Sequence, residues 1–132
     1  RHITIANRTV AKAEALVASH SGMAALQKAE LFALAPQAVE GDFDVIINAT
    51  ASSLAGDAVP VPASVLRPGS LAYDMMYGPA AQGFLDWAQA HGAVARDGLG
   101  MLVEQAAEAF AIWRGVRPPS AQVLEELRRA PH

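Results

Sequence analysis

Cysteine is absent from this sequence, so neither a disulfide framework nor a thiolate metal site is open to it. That absence is compatible with a reducing cytoplasm, the expected compartment. Basic runs are missing as well: 10 Lys and Arg stand against 13 Asp and Glu, a formal net charge of -3. Such a balance argues against a nucleic-acid surface. The four histidines, His2, His20, His91 and His132, show no short metal-ligand spacing, and no metal is expected. No apolar run is long enough to span a bilayer and no secretory apolar segment is present, so no membrane partner is expected either. Internal repeats and low-complexity tracts are not evident. Apolar residues are plentiful, and 52% hydrophobic content over 132 residues suits one globular domain with a sizeable core.

Taken in order, the chain alternates. His2 to Ala6 is β-branched and alternating, which predicts a strand with Asn7-Arg8-Thr9 at its C-terminal end. Val10 to Ser19 predicts a helix with Thr9 as N-cap. After Ser21-Gly22, Met23 to Leu26 reads as a second short strand, and Ala29 to Ala35 as a short helix closed by Pro36. Asp44 to Thr50 is the clearest strand, and its continuous apolar middle predicts burial on both faces. Ala51 to Gly69 reads as a long loop with one turn of helix near Ala63 to Leu66. Ser70 to Tyr77 is another strand, Gly83 to His91 a helix, and Ala93 to Arg96 a last short strand. An Ala-rich helix follows the Asp97-Gly98 turn, Gly115 to Pro119 break it, and Ser120 caps a final helix over Ala121 to Arg129.

Strands and helices at this spacing predict the α/β class, a parallel sheet with flanking helices. Ligands in such folds bind outside the carboxyl ends of the strands. Four polar clusters fall there: Asn7-Arg8-Thr9, Asn48-Ala49-Thr50, Asp74 to Tyr77, and Asp97-Gly98. Arg8, Thr9 and Lys12 form a compact anion site, in which a planar guanidinium fork, a point charge and a helix N-terminus converge. An acidic residue at this strand end selects a free ribose 2′-hydroxyl, whereas a nearby Arg accommodates a 2′-phosphate. No acidic residue stands here, so NADP is favoured over NAD; a solvated basic tip is the plainer alternative. Asn48 and Thr50 serve equally well as strand-end caps. Gly98 and Gly100 bracket Leu99 and let the backbone approach a flat ligand, because neither carries a Cβ. Met101 and Gln105 lie one turn apart on the face leaning back toward that turn, while Glu104 and Glu108 project elsewhere, toward water. Core packing explains Met101 and Gln105 about as well as binding does.

A dinucleotide fold also needs a first strand and a G-x-G-x-x-G turn for the pyrophosphate, and no such element precedes the Arg8 strand. The chain therefore reads as a dinucleotide domain beginning at its second strand, and its first residue is Arg1, not Met. In the usual order the missing strand lies between the second and fourth, so the edges at Ile3–Ile5 and Val45–Ile47 are left to pair directly, to be filled by another chain, or to be completed in a longer protein.

These motifs in this order resemble shikimate dehydrogenase over nearly the whole chain, as its C-terminal part. The resemblance rests on Asn7-Arg8-Thr9 with Lys12-Ala13, Ile46 to Thr50, Tyr73 to Pro79, Phe84-Leu85, and above all Asp97 to Ala107, continuing through Phe110 and Trp113 to Gly115-Val116. It implies a partial Rossmann-like, three-layer αβα fold: residues 1–114 as an NADP-binding domain, and residues 115–132 as a linker and helix directed at an N-terminal domain. It further implies reversible NADP-dependent reduction of 3-dehydroshikimate to shikimate in aromatic amino-acid biosynthesis, by a monomer or homodimer. Asn7, Arg8, Thr9 and Lys12 then hold the 2′-phosphate; Asn48, Ala49 and Thr50 line the cofactor path; Met75, Gly98 and Met101 contact the nicotinamide end; Tyr77 and Gln105 reach the shikimate hydroxyls or carboxylate.

The family's catalytic Lys–Asp pair lies in its N-terminal domain, so no residue here takes a catalytic role. Lacking an acid–base group costs on the order of 10² to 10⁴ in rate. The chain alone is therefore expected to be inert and to bind NADP weakly or not at all. Two departures, Ala51 to Gly56 and Gln82-Gly83, leave a quinate-accepting relative open. A non-catalytic nucleotide-binding or interaction module is the second alternative. A third is another enzyme with this domain, such as a glutamyl-tRNA reductase or methylene-tetrahydrofolate dehydrogenase, against which Tyr77 and the Asp97 to Ala107 stretch speak.

Overall fold

The computed structural model describes residues 1–51 and 58–131, in two units. The Ser52, Ser53 and Gly56 portion of the expected long loop lies outside the described residues.

The first unit, Arg1–Asp42 with Pro60–Val65, holds β1 (His2–Ala6), α1 (Val10–Leu26) and β2 (Glu30–Leu34). The two strands are parallel, with His2 opposite Glu30 and Ala6 opposite Leu34. The helix α1 packs on both, burying Ala13. Two expectations are corrected here. Met23 to Leu26 is no strand but the last turn of α1. Gly22 costs a helix only about 1 kcal/mol relative to Ala, and Met23, Ala24, Ala25 and Leu26 are strong helix formers that carry it on. Ala29 to Ala35 is no helix but contains β2, whose Leu, Phe and Ala side chains follow the ladder that β1 offers over their own propensity. The helix ends instead at Gln27 and Lys28, the latter in the left-handed region at φ 51. Thr9 occupies the N-cap without a side-chain cap bond; its N–H donates to Asn7 Oδ1 at 2.8 Å. Ala63–Val65 forms a 3-10 turn where one turn of helix was expected.

The second unit, Phe43–Val59 with Leu66–His132, is built on β3 (Val45–Asn48), β4 (Leu71–Asp74) and β5 (Val94–Arg96). All are parallel, in the order β3-β4-β5, with Asn48 opposite Asp74 and Tyr73 opposite Arg96. Ala72 and Asp74 of the central strand are fully buried. The helix α2 (Pro79–Ala90) packs on β4 and β5 through Ala81, Phe84 and Ala88. It begins four residues earlier than the expected Gly83, because a proline at the first helical position loses no bond and presets φ. The helix α3 (Leu99–Arg114) buries Leu99, Val103 and Ala107, successive residues of one stripe, and ends at Gly115 with φ 72. The helix α4 (Ser120–Arg129) lies against α3.

Burial of Val45 to Ile47 on both faces is not observed. Within its sheet β3 pairs only with β4, and Ile47 is 62% exposed. The described strands form a sheet of two, β1-β2, and a sheet of three, β3-β4-β5. Among the described residues no helix is long and apolar enough to cross a membrane, and no group of three or more His, Cys, Asp or Glu could hold a metal ion.

Candidate functional site

The first unit carries its polar cluster at the end of β1. Asn7 is half-buried and turned back on the Thr9 N–H, while Arg8, Thr9 and Lys12 are exposed. The Lys12 N–H closes the first helical turn on the Thr9 carbonyl at 3.0 Å. Two cations and a helix N-terminus therefore stand beside a strand end that carries no carboxylate. That donor set suits a phosphate ester on a ribose and leaves a free 2′-hydroxyl without an acceptor.

In the second unit the ends of β3, β4 and β5 are tied to one another. The Asn48 side-chain amide donates to Asp74 Oδ2 at 3.2 Å. Its oxygen accepts from the Thr50 hydroxyl at 2.7 Å and the Thr50 N–H at 3.2 Å. Asp74 Oδ1 accepts the Met76 N–H at 2.8 Å, and the Met76 carbonyl accepts the Gly98 N–H at 2.8 Å. Between these ties Met75 and Tyr77 remain exposed, as does Ala49.

Glycine at position 98 answers a demand besides the expected one. A Cβ there would lie 2.6 Å from the Met75 carbonyl carbon, closer still to its oxygen, and 3.2 Å from the Asp74 oxygen. The close approach is to the chain's own backbone. At Gly100 a Cβ would meet only Leu124 at 3.9 Å, ordinary contact. Met101, half-buried, and Gln105, exposed, follow at helical spacing on α3.

Glu104 and Glu108 are exposed, as expected, and share the guanidinium of Arg117 at 2.7 and 2.8 Å. The Ser120 hydroxyl foremost, with Arg117, lowers the Glu104 carboxyl from its ordinary value against the opposing effect of desolvation. The same carboxylates push Arg117 up, Glu108 foremost. Ser120 thus is the first residue of α4 and bonds to α3, whereas Pro119 takes the cap position where Ser120 was expected. Arg128 of α4 reaches Asp97 at 3.4 Å, beside the Leu99 N–H that donates to the same oxygen at 3.3 Å.

Asp74 was given no role by sequence reasoning. The signal was present, an acid closing an otherwise apolar strand, but a carboxylate at a strand end reads equally as solvated.

A family model described as the Shikimate 5'-dehydrogenase C-terminal domain matches residues 98–128. A shikimate dehydrogenase (NADP(+)) of Acidovorax ebreus is 78% identical over 130 residues, covering 98% of this chain and 46% of the relative. Of solved structures, an Ael1 enzyme from Pseudomonas putida is 46% identical with a TM-score of 0.77, over 94% of this chain and 44% of that one. Shikimate 5-dehydrogenase from Thermus thermophilus, in complex with NADP(H) and shikimate, is 27% identical with a TM-score of 0.70, over 97% of this chain and 46% of that one. The chain thus spans about half the length of the relatives it matches.

Proposed function

We infer that the chain, which is similar to the C-terminal part of the shikimate dehydrogenases, is the NADP-binding half of an enzyme that interconverts 3-dehydroshikimate and shikimate. The observation that carries this reading is 78% identity along almost the whole chain to an NADP-dependent member. NADP supplies the hydride acceptor or donor when bound. The chain's own part is to bind and to orient.

Arg8 grips the 2′-phosphate with a planar fork, and Lys12 and Thr9 complete that grip beside Asn7. Their exposure and the lack of a carboxylate at this strand end support the assignment. Asn48, Ala49 and Thr50 line the path of the cofactor. Met75, Gly98 and Met101 meet its nicotinamide end, where two thioethers offer soft, polarizable contact. Tyr77 and Gln105 are left to hydrogen-bond the shikimate hydroxyls or carboxylate; both are exposed and able to donate and accept. Proton transfer to the carbonyl oxygen belongs to groups outside this chain. Residues 1–114 form the cofactor domain, and residues 115–132 lead toward the part that the relatives possess in addition, an assignment that the exposure of Ile112, Trp113 and Val116 beside them supports.

The test is shikimate-dependent NADP reduction by the full-length enzyme, wild type against Arg8→Ala. Activity in the wild type, with the KM for NADP raised about tenfold or more and kcat within about twofold in the variant, is the expected result. A wild type inactive on shikimate overturns the assignment of substrate, and an unchanged KM for NADP overturns that of Arg8.

A further inference from the structure

We propose that Asp74 is a positioning residue whose buried carboxylate fixes which way the Asn48 amide faces and, through the Met75–Met76 turn, where the residues lining the cofactor path stand. Asp74 is 0% exposed and closes the central strand of its sheet. An ionised carboxylate accepts hydrogen bonds and donates none. Facing Asp74 Oδ2 at 3.2 Å, the Asn48 amide must therefore present its NH2 and keep its oxygen for Thr50. The second carboxylate oxygen takes the Met76 N–H, and Met76 in turn takes the Gly98 N–H, so one side chain governs three strand ends.

The arrangement is directional. With asparagine at position 74, the single acceptor oxygen serves either Met76 or Asn48. If it serves Met76, two NH2 groups face each other. If Asn48 turns to relieve that clash, its NH2 confronts the Thr50 N–H, which loses its acceptor. Exchanging both residues restores each donor named here to an acceptor: an amide at 74 donates to a carboxylate at 48, keeps its oxygen for Met76, and leaves the carboxylate for Thr50. A role confined to filling space predicts no such reciprocity.

The inference rests on the cofactor assignment above only for its consequence; the orientation itself is read independently. In the full-length enzyme, the Asn48 side-chain amide is followed by NMR in wild type and Asp74→Asn, and NADP binding is titrated in both and in the Asn48→Asp/Asp74→Asn exchange. The expected result is an Asn48 amide slow to exchange with solvent in wild type and shifted and fast in Asp74→Asn. The KM for NADP rises about tenfold in that variant, the scale of one oriented hydrogen bond, and returns to within about threefold of wild type in the exchange. Should Asp74→Asn fail to fold, the exchange variant decides: folded with near-normal NADP binding supports the proposal, and folded without it overturns the proposal. An Asn48 amide indifferent to Asp74→Asn, or a KM for NADP that does not move, also overturns it. Inactivity of the wild type on shikimate counts against the functional reading alone, since the amide signal still reports on Asp74.

Discussion

The end of β1 and the joined ends of β3, β4 and β5 are both polar strand ends, yet they are built in opposite ways. At the end of β1 one local bond, from the Thr9 N–H to Asn7, is the described side-chain tie, and Arg8 and Lys12 are turned outward. At the other, polar groups are spent on one another around a fully buried carboxylate, and a glycine is pressed against a neighbouring carbonyl. Under the proposed cofactor assignment, the difference matches two kinds of task. A doubly charged phosphate is attracted over several ångströms by a long, always-charged side chain, so the frame beneath Arg8 need not be stiff. A flat ring is placed by contact, and contact surfaces shift with every tenth of an ångström in the backbone that carries them.

The contrast is broken most directly at Gly98. Alanine there must displace the Met75 carbonyl, and overpacking of this kind costs about 1–3 kcal/mol or more; urea unfolding of the full-length enzyme should show it, together with loss of activity. If Gly98→Ala unfolds like wild type, the second strand-end group is not the rigid one. Arg8→Ala is the mirror case: unfolding should be unchanged to within about 0.5 kcal/mol, while the KM for NADP climbs. A large loss of stability would show that Arg8 holds the fold as well.

The smallest effect is expected where α3 meets α4. Glu104 titrates below its ordinary value in the folded chain, so its contribution is present above the usual carboxylate range and is lost as pH falls through the lowered value. Glu104→Gln should therefore lower the melting temperature slightly at neutral pH, with the gap to wild type closing in acid. A gap independent of pH would mean that the Ser120 and Arg117 contacts do not couple to ionisation.

Regular, locally determined features were legible from composition and pattern. The strands at Val45–Asn48, Leu71–Asp74 and Val94–Arg96 appeared within one to three residues of their observed ends, and the stripe Leu99, Val103, Ala107 sits where an Ala-rich helical segment was expected. Features decided by partners were not. Leu31 to Leu34 has helical composition and becomes a strand because β1 offers it a ladder. Val45 and Ile47 look like a doubly buried run, yet burial depends on what covers a strand and not on its side chains alone. The second demand on Gly98 was not legible, since only the fold brings the Met75 backbone against it. Asp74 escaped assignment because a buried hub and a solvated strand end are spelled with the same letter.

Lys28 bears on how far this molecule can be improved. It is the one described residue other than glycine with a positive φ, at the joint between α1 and β2. A side chain held in the left-handed region costs about 1–2 kcal/mol, and Gly or Asn at that joint recovers part of it. The parallel register sets this joint beside the start of β1, at the opposite end of the two-stranded sheet from Arg8. Stability gained there is gained away from the end of β1 that carries Arg8, and it leaves the fold more tolerance for later substitutions at that end.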